Sequence, residues 1–431
     1  MDTLLPARPR PRAARPRTRS RTLTSTHLLC GAGGDAQGLT EAGYTPIYAA
    51  NHDPVCISSH SKNFLDCAHD VADVSQLAMT GLPGSDVLWA SVICTEISPA
   101  GHRPRHRGPV LLDAAGRPIG SERFARTRAT AYDVMRACEV HRYRACIVEN
   151  VVEFATRWEL FTWWIDGMRQ LGYRVQLVSA NAAHVGDATN PTAPQLRDRL
   201  LAVFTLEHAV EEPDLALRPR SYCPSCRRHV QGVQTWSNAA ASRPIRVGKY
   251  GTQYTYICPL RGCGALVQPV VRPAIDVIDT ADLGRCLRDR ATTPKPATLK
   301  RLEAAVRYLS TDAVRRHHPG VPEKASGLRV AVLEYRNHCD AASGLEPFST
   351  ISAQGNHHGV VFAPPGYRPG EPLTIHDLTY RIISGREQAA AQRFPANYIL
   401  EGTGADITRQ AGNAVPPNFA CWVGRQLAHV L

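Results

Sequence analysis

Cys94 closes an apolar, partly β-branched run, Val87 to Ile93, where the chain turns polar and soon meets Pro99 and Gly101. The run predicts a short buried strand and puts the thiol where strand gives way to loop. In an open α/β sheet that edge is where ligands bind. A thiolate attacks carbon well, so Cys94 is a candidate nucleophile; a buried structural thiol is the plain alternative. A second apolar run, from Ala145, ends in Glu149-Asn150-Val151. Glu149 could hydrogen-bond to or protonate a bound base, or simply be a strand-end acid facing water. Further on, Gln195, Arg197 and Arg199 alternate, which on an extended segment places them on one face. Two guanidiniums there suit a phosphate or a base edge; a charged solvent face is the alternative.

These groups need elements to position them, and the pattern supplies a βαβ succession. A short strand leads into Cys30-Gly-Ala-Gly-Gly34, a glycine-rich turn, and a helical pattern through Ala36, Leu39 and Ala42 follows. Glycines admit positive φ and close approach of a ligand, and the helix N-terminus offers free N–H groups. This is nucleotide-cofactor geometry, although many such turns are only tight connections. A second strand, Pro46 to Ala50, ends at Asn51-His52-Asp53, where polar side chains can hold a ribose. A helix from Val55 to Phe64 leads to Asp70 and Asp73, placed near a third strand end. The order predicts an α/β fold with a mostly parallel sheet. Helices are also expected at Thr130 to Val140, Trp158 to Leu171, Pro294 to Leu309, Leu378 to Arg393 and Asn418 to Leu431, with a strand from Tyr173 to Ala180.

Two cysteine pairs, Cys223-Pro-Ser-Cys226 and Cys258-Pro-Leu-Arg-Gly-Cys263, lie about thirty residues apart. Pairs on knuckle-like turns predict a four-thiolate zinc ribbon over about 221–265, with the metal structural because no ligand position stays open. Arg227, Arg228, His229, Arg243, Arg246 and Lys249 make this module basic and point it toward DNA.

The 431 residues allow two or three domains, and 43% apolar residues suit a globular protein. No apolar run is long enough to span a bilayer, so no membrane association is expected. The net charge of +12 favours a polyanionic partner, nucleic acid first. Thirteen cysteines without a secretory signal point to thiols and metal ligands rather than disulfides. Residues 1–22 carry seven arginines and four prolines against one acid, which predicts a disordered tail, either a phosphate-capturing arm or a solvated extension. The Arg/His-rich stretch 102–107 suits a mobile loop over a charged substrate.

Taken together, the motifs resemble the DNA (cytosine-5) methyltransferase family. The glycine-rich turn 30–34, the Ile93-Cys94-Thr95 loop, Glu149-Asn150-Val151, Gln195 to Arg199 and Gly412-Asn413-Ala414-Val415 follow the family's order. The resemblance departs at Leu29, where a phenylalanine is usual, at Asn51, where an acid is usual, and at Val92, Ile93 and Thr95 around the cysteine. It implies a Rossmann-like S-adenosyl-L-methionine-dependent domain with a smaller target-recognition domain. The corresponding boundaries are 23–205 for catalysis, 206–370 for recognition, and 371–431 returning to the catalytic domain. It implies Cys94, Glu149, Arg197 and Arg199 as catalytic residues. Leu29, Cys30, Gly31, Gly33, Gly34, Asn51, His52, Asp73, Asn413 and Val415 would bind the cofactor. The implied reaction is methylation of carbon 5 of a cytosine flipped out of double-stranded DNA, through a covalent adduct. A catalytically weak DNA-binding protein on the same fold, or an RNA cytosine methyltransferase, are the competing readings. The expected setting is a restriction–modification system or phage-like element, in a prokaryotic cytoplasm or an infected host, with a monomer as the default.

Overall fold

The computed structural model describes residues 22–94, 125–243, 245–310, 328–336, 339–353 and 357–431. The arginine-rich tail and the 102–107 stretch lie outside them. The first lobe comprises β1 (Leu23–Leu28), α1 (Gly34–Glu41), β2 (Tyr44–Asn51), α2 (Pro54–Asn63), β3 (Ala68–Val71), β4 (Val87–Ala90), α3 (Ala125–His141), β5 (Ala145–Asn150), α4 (Glu153–Arg157), α5 (Phe161–Gln170), β6 (Tyr173–Asn181) and β7 (Asp198–Leu206). Its seven strands run in the order β3-β2-β1-β4-β5-β7-β6. The first five are parallel, and β7 is antiparallel to both β5 and β6. The mostly parallel sheet expected from the βαβ pattern is therefore present.

From β1 the chain winds outward through β2 and β3, then returns to start β4 on the other side. This reversal between β1 and β4 is a topological switch point, where diverging connections leave a crevice at the C-terminal strand ends. β1 delivers the glycine-rich turn to that crevice and β4 delivers Cys94. The strand before Cys94 is shorter than the sequence suggests: it ends at Ala90, and residues 91–93 are irregular. Inter-strand pairing stops with Ala90 against Val148 on β5 and Leu28 on β1, so the apolar residues beyond it pack as a loop.

Both sheet faces are buried, as parallel sheets require. Leu88, Ala90, Cys146 and Val148 pack with Phe154, Phe161 and Trp164, while Val87, Trp89, Ala145 and Ile147 face a second core.

Two antiparallel sheets follow. One is built from β8 (Arg220–Cys223), β9 (Arg228–Gln231), β10 (Val233–Trp236), β11 (Tyr254–Ile257) and β12 (Leu266–Pro269), with the short α6 (Asn238–Ala241) after β10. The other takes β13 (Arg285–Cys286), β14 (Val330–Glu334), β15 (Ala341–Ser343), β16 (His358–Phe362) and β17 (Thr379–Ile382), covered by α7 (Pro296–Leu309). Three helices end the chain: α8 (Gly385–Ala391), α9 (Gly404–Asn413) and α10 (Pro417–Ala428).

The helix expected from Leu378 to Arg393 is instead a strand, a break and a shorter helix. Thr379–Ile382 pairs with β16, and Ser384 then caps α8 in a capping box with Glu387. The serine side chain and the N3 glutamate satisfy two helix-end donors, which sets the start of α8. Residues 379–382 belong to the sheet of β13 to β17. Beyond them the chain packs on the first lobe. α10 lies on α1 so closely that a Cβ at Gly38 would fall 2.1 Å from the Pro417 carbonyl oxygen.

Candidate active site

The glycine turn is shaped by backbone geometry. Leu29, Gly31 and Gly33 all have positive φ, at 57°, 52° and 90°. A Cβ on Gly33 would lie 2.7 Å from the Tyr398 hydroxyl, and one on Gly34 would lie 2.0 Å from the Val415 carbonyl oxygen. Only glycine fits where the return segment closes down on the turn. Tyr398 donates its hydroxyl to the Ala32 carbonyl at 2.5 Å, bracing the turn from above. Beneath it, His27 is fully buried between Ser25 (2.8 Å) and Asp35 (2.7 Å), and Asp35 Oδ1 has no hydrogen-bond partner. Sequence reading missed this buried histidine–carboxylate pair.

The turn, the N-terminus of α1 and Val415 thus meet at the end of β1, with the unpartnered Asp35 carboxylate oxygen behind them. Asn51 sits at the end of β2, where a ribose would be held, but its Oδ1 already accepts from the Asp53 amide at 2.9 Å. Asp53 in turn caps α2 and pairs with Arg409 at 3.0 Å. His52, Asp73 and Asn413 are exposed, and Asp73 caps the short turn beginning at Val74. Cys30 is buried, with its thiol pushed well up by burial and by Asp35.

Cys94 is half-buried at the mouth of the crevice. The two residues before it are pinned by side chains that sequence reading missed. Asn150 Nδ2 donates to the Val92 carbonyl (3.0 Å), Thr127 Oγ1 donates to the Ile93 carbonyl (2.8 Å), and Thr130 Oγ1 accepts from the Ile93 amide (3.3 Å). The Asn of the Glu-Asn-Val motif therefore holds the Cys94 segment, while Glu149 meets Arg199. Burial raises the Cys94 thiol; Arg199 and Arg197 pull it down, and Glu149 pushes it up.

Glu149 is 7% exposed, and its Oε1 lies 2.7 Å from Arg199 Nε. The contact is an ion pair rather than an aligned hydrogen bond, because Oε1 finds no well-directed donor. Burial raises the carboxyl above its ordinary value against the pull of both arginines. A carboxyl shifted upward can carry a proton to a bound ring nitrogen.

The two arginines, expected to share one role, differ. Arg199 orients by donating Nη1 to the Asp198 carbonyl and faces Glu149. Arg197 is 2% exposed and spends its guanidinium on the carbonyls of Ile351 (2.9 Å), Gly412 (3.0 Å) and Ala414 (3.1 Å). These bonds engage Nη1 and Nη2, while the buried Nε has no hydrogen-bond partner. Through them Arg197 ties the entry to β7 to Ile351 and to the Gly-Asn-Ala-Val segment. Gln195 does likewise, bonding the Ile351 amide (2.8 Å) and Gln392 (2.7 Å).

Cys223, Cys226, Cys258 and Cys263 converge, with all four donor atoms within 4.8 Å of one another. The Sγ–Sγ separations are 3.7 Å for Cys223–Cys263 and 3.4 Å for Cys226–Cys263. Four thiolates about 2.3 Å from a tetrahedral zinc would stand about 3.8 Å apart, so the donor set fits the metal. The amide of Cys226 also points at the Cys223 sulfur at 3.4 Å. A smaller group, His60, Cys67 and His69, fits an ion less well. Its imidazoles bond each other at 2.8 Å, closer than the roughly 3.3 Å of tetrahedral nitrogen ligands.

The sequence pattern of the C-5 cytosine-specific DNA methylases matches residues 23–231 and 292–429. Over 59 residues the chain is 51% identical to DNA (cytosine-5)-methyltransferase 3 of Arabidopsis thaliana. Over 53 residues it is 43% identical to DNA (cytosine-5)-methyltransferase 1 of Gallus gallus. These matches span 14% and 12% of this chain, and only 4% and 3% of those proteins. Among solved structures, the Entamoeba histolytica methyltransferase EhMeth aligns at TM-score 0.50 with 10% identity, over 95% of this chain and 98% of that one. A putative DNA modification methyltransferase encoded within an Escherichia coli prophage aligns at TM-score 0.49 with 16% identity, over 95% and 99%. No helix among the described residues is long and apolar enough to cross a membrane. On the family match, the chain belongs to the C-5 cytosine-specific DNA methylase family.

Proposed function

We propose that this protein transfers a methyl group from S-adenosyl-L-methionine to carbon 5 of a cytosine flipped out of duplex DNA. The observation that carries the proposal is the meeting of Cys94, Glu149 and Arg199 beside the glycine cradle at the switch point. When bound, the cofactor supplies an electrophilic methyl carbon on a sulfonium sulfur. Cytosine carbon 5 is a poor nucleophile, so the protein must activate it. Cys94, as thiolate, bonds to carbon 6, and the electron pair of the 5,6 double bond shifts into the ring. Glu149 gives its proton to ring nitrogen 3 as negative charge gathers there, which leaves carbon 5 enamine-like and ready for the methyl. Arg199 steadies the Glu149 carboxylate once the proton has gone. Loss of the carbon 5 proton to a base then expels Cys94 as thiolate, and the proton on nitrogen 3 returns to Glu149, which restores the neutral aromatic ring. The target atom is buried in a base stack, so the nucleotide must leave the duplex first.

The same reading assigns a structural zinc ion to the four converging cysteines, and a prokaryotic or phage setting with the net charge of +12 drawing the DNA. The test uses purified protein, tritiated S-adenosyl-L-methionine and mixed duplex DNA, comparing wild type with Cys94→Ser. Label on cytosine that disappears in the variant is expected. Label on RNA alone would reassign the substrate. No label on either, with DNA binding intact, would make the protein a binder that kept the fold.

A further inference from the structure

The cysteine-bearing sheet does more than hang from the catalytic lobe. Residues 245–250, between α6 and β11, run back across the first lobe and are built into it. Val247 is 1% exposed and belongs to the same core as Leu29, Val148, Val151 and Phe154. The Gly248 amide donates to Ser179 Oγ on β6 at 2.9 Å, and Gln234 of β10 reaches the Ser179 carbonyl at 3.2 Å. Lys249 Nζ pairs with Glu153 at 2.7 Å, and Glu153 begins α4 four residues after Glu149. The Tyr250 amide donates to Asp198 Oδ1 at 3.0 Å, and the Tyr250 ring packs edge-on to His184. Asp198 is the residue whose carbonyl orients Arg199. The segment therefore grips both elements that carry the Glu149–Arg199 pair: α4 beyond Glu149, and the first residue of β7.

The other end of the segment leads to the thiols. Gly251 donates to the Tyr254 carbonyl and the Tyr254 amide donates to Lys249, closing a tight turn into β11. β11 ends one residue before Cys258, and Tyr254 and Tyr256 are buried with Cys223 and Cys258 in one small core. The two stretches that match the family pattern leave 232–291 between them. The strap and one cysteine pair thus lie in the unmatched interval, while the residues they hold lie in a matched one.

We infer that residues 245–250 are a positioning strap for the Glu149–Arg199 pair, tensioned by a zinc ion on Cys223, Cys226, Cys258 and Cys263. Lys249 and Tyr250 act through Glu153 and Asp198 and touch no substrate. The catalytic geometry of this chain then depends on the oxidation and metallation state of a centre outside its crevice. The inference rests on the methyl-transfer reading above.

The test uses the full-length protein, with zinc counted by mass spectrometry of the metal. Two variants separate the parts: Lys249→Met cuts the strap with the metal retained, and Cys258→Ser removes the metal. Displacing a catalytic group by about 1 Å costs on the order of 100-fold, so each variant is expected to lose roughly 10- to 100-fold in kcat. KM for the cofactor should change less than about twofold, because the glycine cradle is untouched. Lys249→Arg, which keeps the ion pair, should restore kcat. Lys249→Met with zinc bound and kcat unchanged would overturn the strap. Cys258→Ser with no zinc and kcat unchanged would overturn its coupling to the metal. Amide hydrogen exchange of residues 149–153 and 196–200 gives a readout without chemistry. Faster exchange there in Cys258→Ser, in a protein whose wild type transfers no methyl group, would keep the strap and reject the methyl-transfer reading. Exchange unchanged in both Lys249→Met and Cys258→Ser would reject the strap itself.

Discussion

In the seven-stranded sheet, Val87 to Ala90 and Ala145 to Val148 are buried on both faces at no more than 1% exposure. In the sheet of β8 to β12, buried and exposed residues alternate along β8 and β12, and β9 has no buried residue at all. The fully buried members of its core are Cys223, Tyr254, Tyr256, Cys258 and Val267. Two of those five are metal-ligand candidates. The comparison teaches that the two regions are held by different forces. Burial of apolar surface is enough to fix the first, while the second buries little, and the zinc proposed for its four thiols would supply the rest. The catalytic crevice belongs to the first region, yet one of its braces comes from the second.

The largest effect that could break this comparison is metal removal. For a structural zinc site the binding free energy, on the order of 10 kcal/mol, is folding free energy. Chelation is therefore expected to melt residues 220–269 while leaving the seven-stranded sheet folded. Hydrogen exchange should show near-complete loss of protection in β8 to β12 and retained protection in β4 and β5. Uniform loss across both sheets would mean that they fold as one unit and that the distinction is false.

A smaller effect tests the seam inside the first region. Arg197 joins three carbonyls from two distant segments. Arg197→Met keeps the volume and removes the donors, leaving buried acceptors unmet. Hydrogen bonds to charged groups contribute about 1.5–3 kcal/mol each, so a loss of about 4 kcal/mol is expected, read as a lower urea midpoint. A change below about 1 kcal/mol would return Arg197 to the substrate-facing role that the alternating motif suggested.

That contrast marks what the sequence could carry. Cys94, Glu149 and the glycine turn were legible because each is fixed by its own strand end, and strand ends follow from local apolar runs. Gly34 and Gly412 were legible as motif members, but their reasons were not: each meets backbone from far along the chain, Val415 and Ser352–Ala353. The partners of Arg197 were hidden for the same cause, since they stand 154 to 217 residues away. The break at Ser384 was written locally, as a serine three residues before Glu387. It was lost inside an apparent helix because Thr379–Ile382 was too short to assert period two. Lys249 looked like one more charge on a basic module, and only its ion pair with Glu153 reveals the strap.

The smallest effect concerns protons and sharpens the difference between Cys94 and the clustered thiols. Burial raises the Cys94 thiol, so the uncharged form dominates at neutral pH and the thiolate grows as pH rises. Alkylation of Cys94 by iodoacetamide is therefore expected to be slow near pH 7 and to accelerate above it, followed by mass spectrometry of the Cys94 peptide in zinc-loaded protein. Arg199 pulls the thiol down and Glu149 pushes it up, so the two variants should move the midpoint in opposite directions. Arg199→Gln should shift it upward and Glu149→Gln downward, each by roughly one pH unit, the size expected for a neighbouring charge. Opposite shifts from two residues in contact at 2.7 Å separate charge from packing, because a packing defect would move both midpoints the same way. Parallel shifts would mean that solvent exposure, and not the pair, sets the reactivity of Cys94. The zinc-bound thiolates should stay unalkylated across the range, since the sulfur lone pairs that would attack iodoacetamide are engaged by the ion.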